Sequence, residues 1–308
     1  MKKPFKSTGI LLGLWVCILF NSLQLSAQTD TTKSKFPRLT KFPLFSTSYS
    51  HYPKSDLGSG EVNIEELATI MNIAFPVKPK KTYISVRFVH TYFKLNTDFN
   101  NPDYRVKENF QSFEFGGGLI KILPKRWRLV STFSPTIASD FRNKIHNDDW
   151  IFRSNILATK RENINSSFTF GLLITTRFGK PLVLPMLGYA HKKNDWTTHI
   201  LLPGFATIRK KLRNKMQVGL KMTINSNVYN ADLRHYAFNN DDFNRLAFTR
   251  ILLGPELLLP IYKDVYFQMT GGFSFNNIFD TQDVDLNQGI NLNAKTRPFF
   301  TFGVTVLK

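Results

Sequence analysis

Cysteine is almost absent from this chain: Cys17 is the only one among its 308 residues. It sits in an apolar run, Gly9 to Phe20, of 12 residues, short of the roughly 17 to 25 that a helix needs to cross a bilayer. The basic leader Met1 to Lys6 in front of that run marks a secretory signal peptide over residues 1–27, with cleavage after Ala27. Leu14-Trp15-Val16-Cys17 does not carry the small residues of a lipoprotein cleavage box. The mature chain is therefore expected to hold no cysteine, which excludes disulfides, thiolate metal sites and a thiol nucleophile.

Acidic residues are also scarce, 22 against 41 Lys and Arg. On the strand-like faces only Glu114 and Glu256 stand out, and they are too far apart in sequence to read as a catalytic pair. The six histidines show no metal-ligand spacing. His146 to Asp149 and Asn239 to Asp242 are rich in oxygen ligands but lack the spacing of a calcium loop, so they read as solvated loops. There is no Gly-x-Ser-x-Gly elbow, and Gly116-Gly117-Gly118 is not followed by the Lys-Ser or Lys-Thr of a phosphate loop. No cofactor and no enzymatic activity are expected.

What the chain does have is a two-residue rhythm. From Arg297 to Lys308, Phe300, Phe302, Val304 and Val306 share one face, and Thr301, Gly303 and Thr305 the other. Thr82 to Phe93, Phe168 to Thr176 and Val265 to Asn276 repeat the design. A helix would need apolar residues three and four apart, so these are strands. Further segments are Leu44 to Tyr52, Asn63 to Val77, Phe110 to Leu123, Trp127 to Ser139, Trp150 to Thr159, Leu182 to His191, Thr197 to Ile208, Lys215 to Tyr229 and Arg245 to Pro260. Glu61 to Met71 also admits a helical reading through Glu65-Glu66-Leu67-Ala68.

An exported chain of alternating strands rich in phenylalanine, with 29 copies, points to an all-β, transmembrane antiparallel β-barrel over residues 42–308. Residues 28–41 form a polar, flexible periplasmic lead-in. Single-chain bacterial barrels have even strand numbers, so the 13 segments resolve to about 12 strands, with 14 as the alternative. Tight joints such as Pro124-Lys125-Arg126 and long polar ones, Asn96 to Asn109, Asn230 to Asn244 and Asn277 to Thr296, suit short turns on one rim and long loops on the other, although the two do not alternate cleanly between Asp140 and Tyr229. Tyr92-Phe93, Trp127, Trp150, Trp196 and Tyr229 lie near segment ends, as interfacial girdles would.

Ser134-Pro135-Thr136-Ile137-Ala138-Ser139-Asp140-Phe141, Leu184-Pro185-Met186-Leu187-Gly188-Tyr189, Leu202-Pro203 and Val228-Tyr229 occur in an order that resembles an uncharacterised outer-membrane β-barrel family of Gram-negative bacteria. The resemblance runs from about Asn63 to the end and implies a domain of unknown function, with no catalytic or binding residue attached. One departure is the end itself, Leu307-Lys308, where many barrels finish on an aromatic residue.

Loss of Lys2, Lys3 and Lys6 with the signal peptide lowers the formal charge only from +19 to +16. Export to the cell outer membrane argues against nucleic acid as the partner and for membrane lipid, lipopolysaccharide and, during biogenesis, the barrel-assembly machinery. Alternation directs Arg87, Glu114, Arg128, Arg153, Arg177, Lys221 and Glu256 to the lumen. Two functions fit: a porin-like narrow channel or transporter for small anionic solutes, and a non-conducting barrel that acts as a structural or ligand-binding surface protein through its long outer loops.

Overall fold

Alternation becomes fifteen strands in the computed structural model, which describes residues 43–56, 60–99, 105–176, 181–231, 245–282, 288–291 and 294–307. The expected signal peptide and lead-in lie outside these residues. In order the strands are β1 (Pro43–Asp56), β2 (Gly60–Lys78), β3 (Thr82–Phe99), β4 (Arg105–Leu123) and β5 (Trp127–Ser139). Then come β6 (Trp150–Arg161), β7 (Ser166–Thr175), β8 (Leu182–Lys193), β9 (Trp196–Leu202) and β10 (Phe205–Lys211). The last are β11 (Gln217–Asn230), β12 (Arg245–Tyr262), β13 (Val265–Gln282), β14 (Gln288–Asn291) and β15 (Arg297–Leu307).

Each strand from β1 to β13 pairs antiparallel with the next, and β15 pairs with both β13 and β1. The ring therefore closes with 14 strands, while the four-residue β14 only extends the loop end of β13. Twelve is corrected to fourteen, and the missing strand has an address. Thr197 to Ile208 is two strands, β9 and β10, folded at Pro203-Gly204 so that Leu201 faces Phe205 and His199 faces Thr207. With Leu201 opposite Phe205, the three residues Leu202 to Gly204 between them preserve parity, so the alternation runs through the turn unbroken and the hairpin reads as one strand.

Glu61 to Met71 is part of β2, with no helix. Val62, Ile64 and Glu66 share its inner face and Leu67 the outer one, a period that only a strand supports. Two of the expected long loops are also largely strand. β3 runs to Phe99 and β4 starts at Arg105, and β13 reaches Gln282 before β14 begins. Asn230 to Asn244 lies mostly outside the described residues.

The outer face is apolar all round. Val86, Phe115, Phe133, Phe152, Phe170, Leu187, Leu220, Phe273 and Phe300 are exposed, each from a different strand. A belt of this extent has no stable counterpart in water and meets acyl chains. Trp150 and Trp196 are exposed near strand ends. Phe93 and Tyr229 are fully buried on the inner face, which corrects the girdle reading for those two.

The wall is not uniform in height. β11 pairs with β10 only from Gln217 to Thr223, and the Ile224 N–H donates to the Gly204 carbonyl at the hairpin tip, 3.0 Å away. Beyond that tip β11 continues to Asn230, which bridges to Ser139 of β5. At the loop end, then, β5 and β11 meet directly and the five strands between them drop out. Nine strands enclose that end and fourteen the other. A barrel of about eight strands has an interior just wide enough for side chains to fill it, and the inner face of this end carries the buried rings of Tyr52, Phe93, Phe110, Tyr229, Phe248 and Phe299.

Candidate functional site

The wide end of the lumen is polar, and two clusters organise it. On β4, the Glu114 carboxylate accepts from Arg87 Nε of β3 at 3.1 Å and from Arg153 Nη2 of β6. Arg87 Nη1 also donates to Asn72 Oδ1 at 3.0 Å. Room for this comes from Gly116, cross-strand neighbour of Arg87: a Cβ there would lie 2.8 Å from Ser134 Oγ and 3.1 Å from Arg87 Cβ. On β12, Glu256 accepts from Arg209 Nε at 2.5 Å and from Gln268 Nε2 at 2.8 Å, with Lys221 Nζ at 3.5 Å. Gly219, paired with both Arg209 and Glu256, has its missing Cβ 2.9 Å from Arg209 Cα.

Each cluster joins two cations to one carboxylate, and the layering matters more than the count. The side chains of Glu114 and Glu256 retain 2% and 1% of their surface, while Arg87 retains 36% and Lys221 28%. The carboxylates lie beneath and the cationic heads face the water of the lumen. An anion there meets charge at short range, whereas a cation meets carboxylates already covered.

Of the residues read from the sequence, Arg87, Glu114 and Arg153 form one cluster, and Lys221 and Glu256 belong to the other. Arg128 shares the inner side of β5 by alternation and is exposed near the short-turn end. Arg177 lies outside the described residues. Arg209 lies one residue beyond Thr197 to Ile208, the segment expected from the sequence, and so falls outside the charges read from it. Glu66, Arg250 and Arg297 fall outside them as well, although each occupies an inward parity position next to aromatic neighbours.

The short turns at the wide end are strongly basic. Exposed cations include Lys80 and Lys81, Lys125 and Arg126, Lys193, Lys211 and Lys215, and Lys263. Several hold backbone angles that L-residues resist: φ is 55° at Lys125 and 66° at Arg126, as in a tight hairpin turn that Asn-Gly fits best. The chain puts charge where the backbone favours glycine.

Buried rings gather at the narrow end. Phe93 stacks on Phe248 at 4.7 Å and Tyr52 on Phe299 at 6.0 Å, and Phe110 lies tilted against Tyr229 at 5.1 Å between centroids, all on the inner face. Above them, the expected solvated loop at His146 to Asp149 is held down: Asp149 Oδ2 accepts from the His146 N–H at 2.8 Å, and Asp148 pairs with Arg245 at 3.1 Å. Lys295, outside the strands, has its pKa raised by its 2.7 Å hydrogen bond to Asp56 and by that residue's charge. Among the described residues, no group of three or more His, Cys, Asp or Glu is placed to hold a metal.

A protein-family model described as a domain of unknown function (DUF6268) matches residues 23–305. No curated protein matches. Among solved structures, the chain is similar to the translocator domain of the autotransporter NalP from Neisseria meningitidis, at 9% identity and TM-score 0.38, covering 98% of this chain and 99% of that one. It is also similar to the outer membrane phospholipase A from Escherichia coli, at 9% identity and TM-score 0.34, covering 88% and 97%. The transport unit of the autotransporter AIDA-I from Escherichia coli aligns at 8% identity and TM-score 0.31, covering 96% and 97%.

Proposed function

This chain belongs to the DUF6268 family of domains of unknown function, and we propose that it is a non-conducting barrel of the outer membrane whose lumen is a dead-end vestibule for anionic ligands. The short turns face the periplasm, where the assembly machinery would meet the chain, and the narrow end faces outwards. The observation that carries the reading is the layer of buried aromatic side chains across the nine-strand end, through which a freely hydrated ion is not expected to pass. Below it, the cationic rim and the wall cations share one sign. A cleft lined in this way concentrates anions from solution. The role is one of binding and not of catalysis.

Side-specific thiol labelling tests both halves of the proposal in a Cys17→Ser chain reconstituted in liposomes. Ser85→Cys lies on the inner face beside Gly118 in the wide end, and Ser112→Cys lies buried within the narrow end. Impermeant thiosulfonates should reach position 85 only from the short-turn side, the anionic reagent about tenfold faster than the cationic one, and position 112 from neither side. Labelling of position 85 from the loop side, or a faster reaction with the cationic reagent, overturns the reading.

A further inference from the structure

Two arginines are sunk in the aromatic layer. Arg250 and Arg297 retain 1% and 2% of their surface, among the most deeply buried large side chains of the protein. The Arg250 guanidinium lies 4.0 Å from the centre of the Tyr52 ring and 5.0 Å from that of Phe248. The Arg297 guanidinium lies 5.5 Å from the same Tyr52 ring, so the two cations are neighbours. Among the described residues one carboxylate answers them: Glu66 accepts from Arg250 Nη2. Arg297 Nη1 donates at 3.1 Å to the Val62 carbonyl, which is a neutral acceptor.

Two positive charges and one negative thus share a dry space. An uncompensated charge in such a place is costly, and an arginine cannot discharge it by losing a proton. Stacking on rings returns only part of that cost. The hydrogen bonds tell the same story. Among the described residues, Arg250 Nε and Nη1 and Arg297 Nε and Nη2 are buried with no partner. On Arg297 these two nitrogens form a single edge of the guanidinium with parallel N–H bonds, the edge that a carboxylate or phosphate engages through two oxygens.

We infer that one small two-oxygen anion, of the carboxylate or phosphate kind, binds between Arg297 and Arg250 and completes the charge balance of the plug. Its oxygens accept from Arg297 Nε and Nη2, and Arg250 Nη1 supplies a further donor. The site is separate from the wide-end clusters and does not depend on the vestibule being one.

The test uses the full chain refolded in detergent from a chloride-only denaturant, with thermal unfolding followed at constant ionic strength. Replacing chloride by acetate or by inorganic phosphate should raise the midpoint by a few degrees and then saturate, as ligand linkage requires. A response to acetate alone identifies a carboxylate site, and a response to phosphate alone a phosphate site. Arg297→Lys keeps the charge but loses the two-point edge, and should shift the saturation to at least tenfold higher anion. Glu66→Gln removes the competing carboxylate and should shift it to lower anion. The inference is overturned by midpoints that do not differ between salts, or by an unchanged response in Arg297→Lys; should that variant fail to fold, an unchanged response in Glu66→Gln overturns it equally.

Discussion

Glu114 shows how a single residue can serve the wall without lining the water. It is buried under two arginines whose heads are partly wet. Glu114→Gln removes the charge that both cations share, and should cost about 2 kcal/mol in urea unfolding, less than the roughly 3–5 kcal/mol of a fully buried pair. On the opposite face, Phe300→Arg places a charge in the lipid belt and should cost about 2–4 kcal/mol if the site is near the midplane. Of the seven charges read from the sequence, parity alone located Arg87, Glu114, Arg128, Arg153, Lys221 and Glu256 on inner positions. Parity could not tell which were bonded to which, because pairing across β4 to β6, or across β10 to β12, depends on register. Nor could it foresee Arg250 and Arg297, since a cation surrounded by rings carries no separate mark in a sequence.

At the scale of elements, alternation identified the strands and failed where a turn left it intact. β9 and β10 together span a segment whose alternation presents one strand, and the Pro203-Gly204 tip is the local sign of the turn between them. Their shortness is what frees the loop half of β11 to reach β5 and narrow the barrel. Close strand contacts set another limit. A Cβ on Gly272 would lie 2.1 Å from the Leu253 carbonyl, so Gly272→Val should prise β12 from β13 and abolish the compact, heat-modifiable band of a folded barrel on unheated gels. In the basic turn, Lys125→Asn with Arg126→Gly should stabilise the hairpin by roughly 1 kcal/mol by relieving positive φ. The same pair of changes should slow labelling of Ser85→Cys by the anionic reagent, because two charges leave the mouth.

For the whole molecule, the decisive asymmetry is between a fourteen-strand end and a nine-strand end. The basic rim follows the wide end and the aromatic packing the narrow one, so charge and shape point the same way. The architecture was legible from the rhythm of the chain; the closure was not, because it depends on β11 meeting β5 across five strands, a contact with no local signature. Single-channel recording of the refolded full chain in a planar bilayer tests the account most directly. The account predicts a silent membrane at every holding potential, and resolved conductance steps of either ion preference would contradict it.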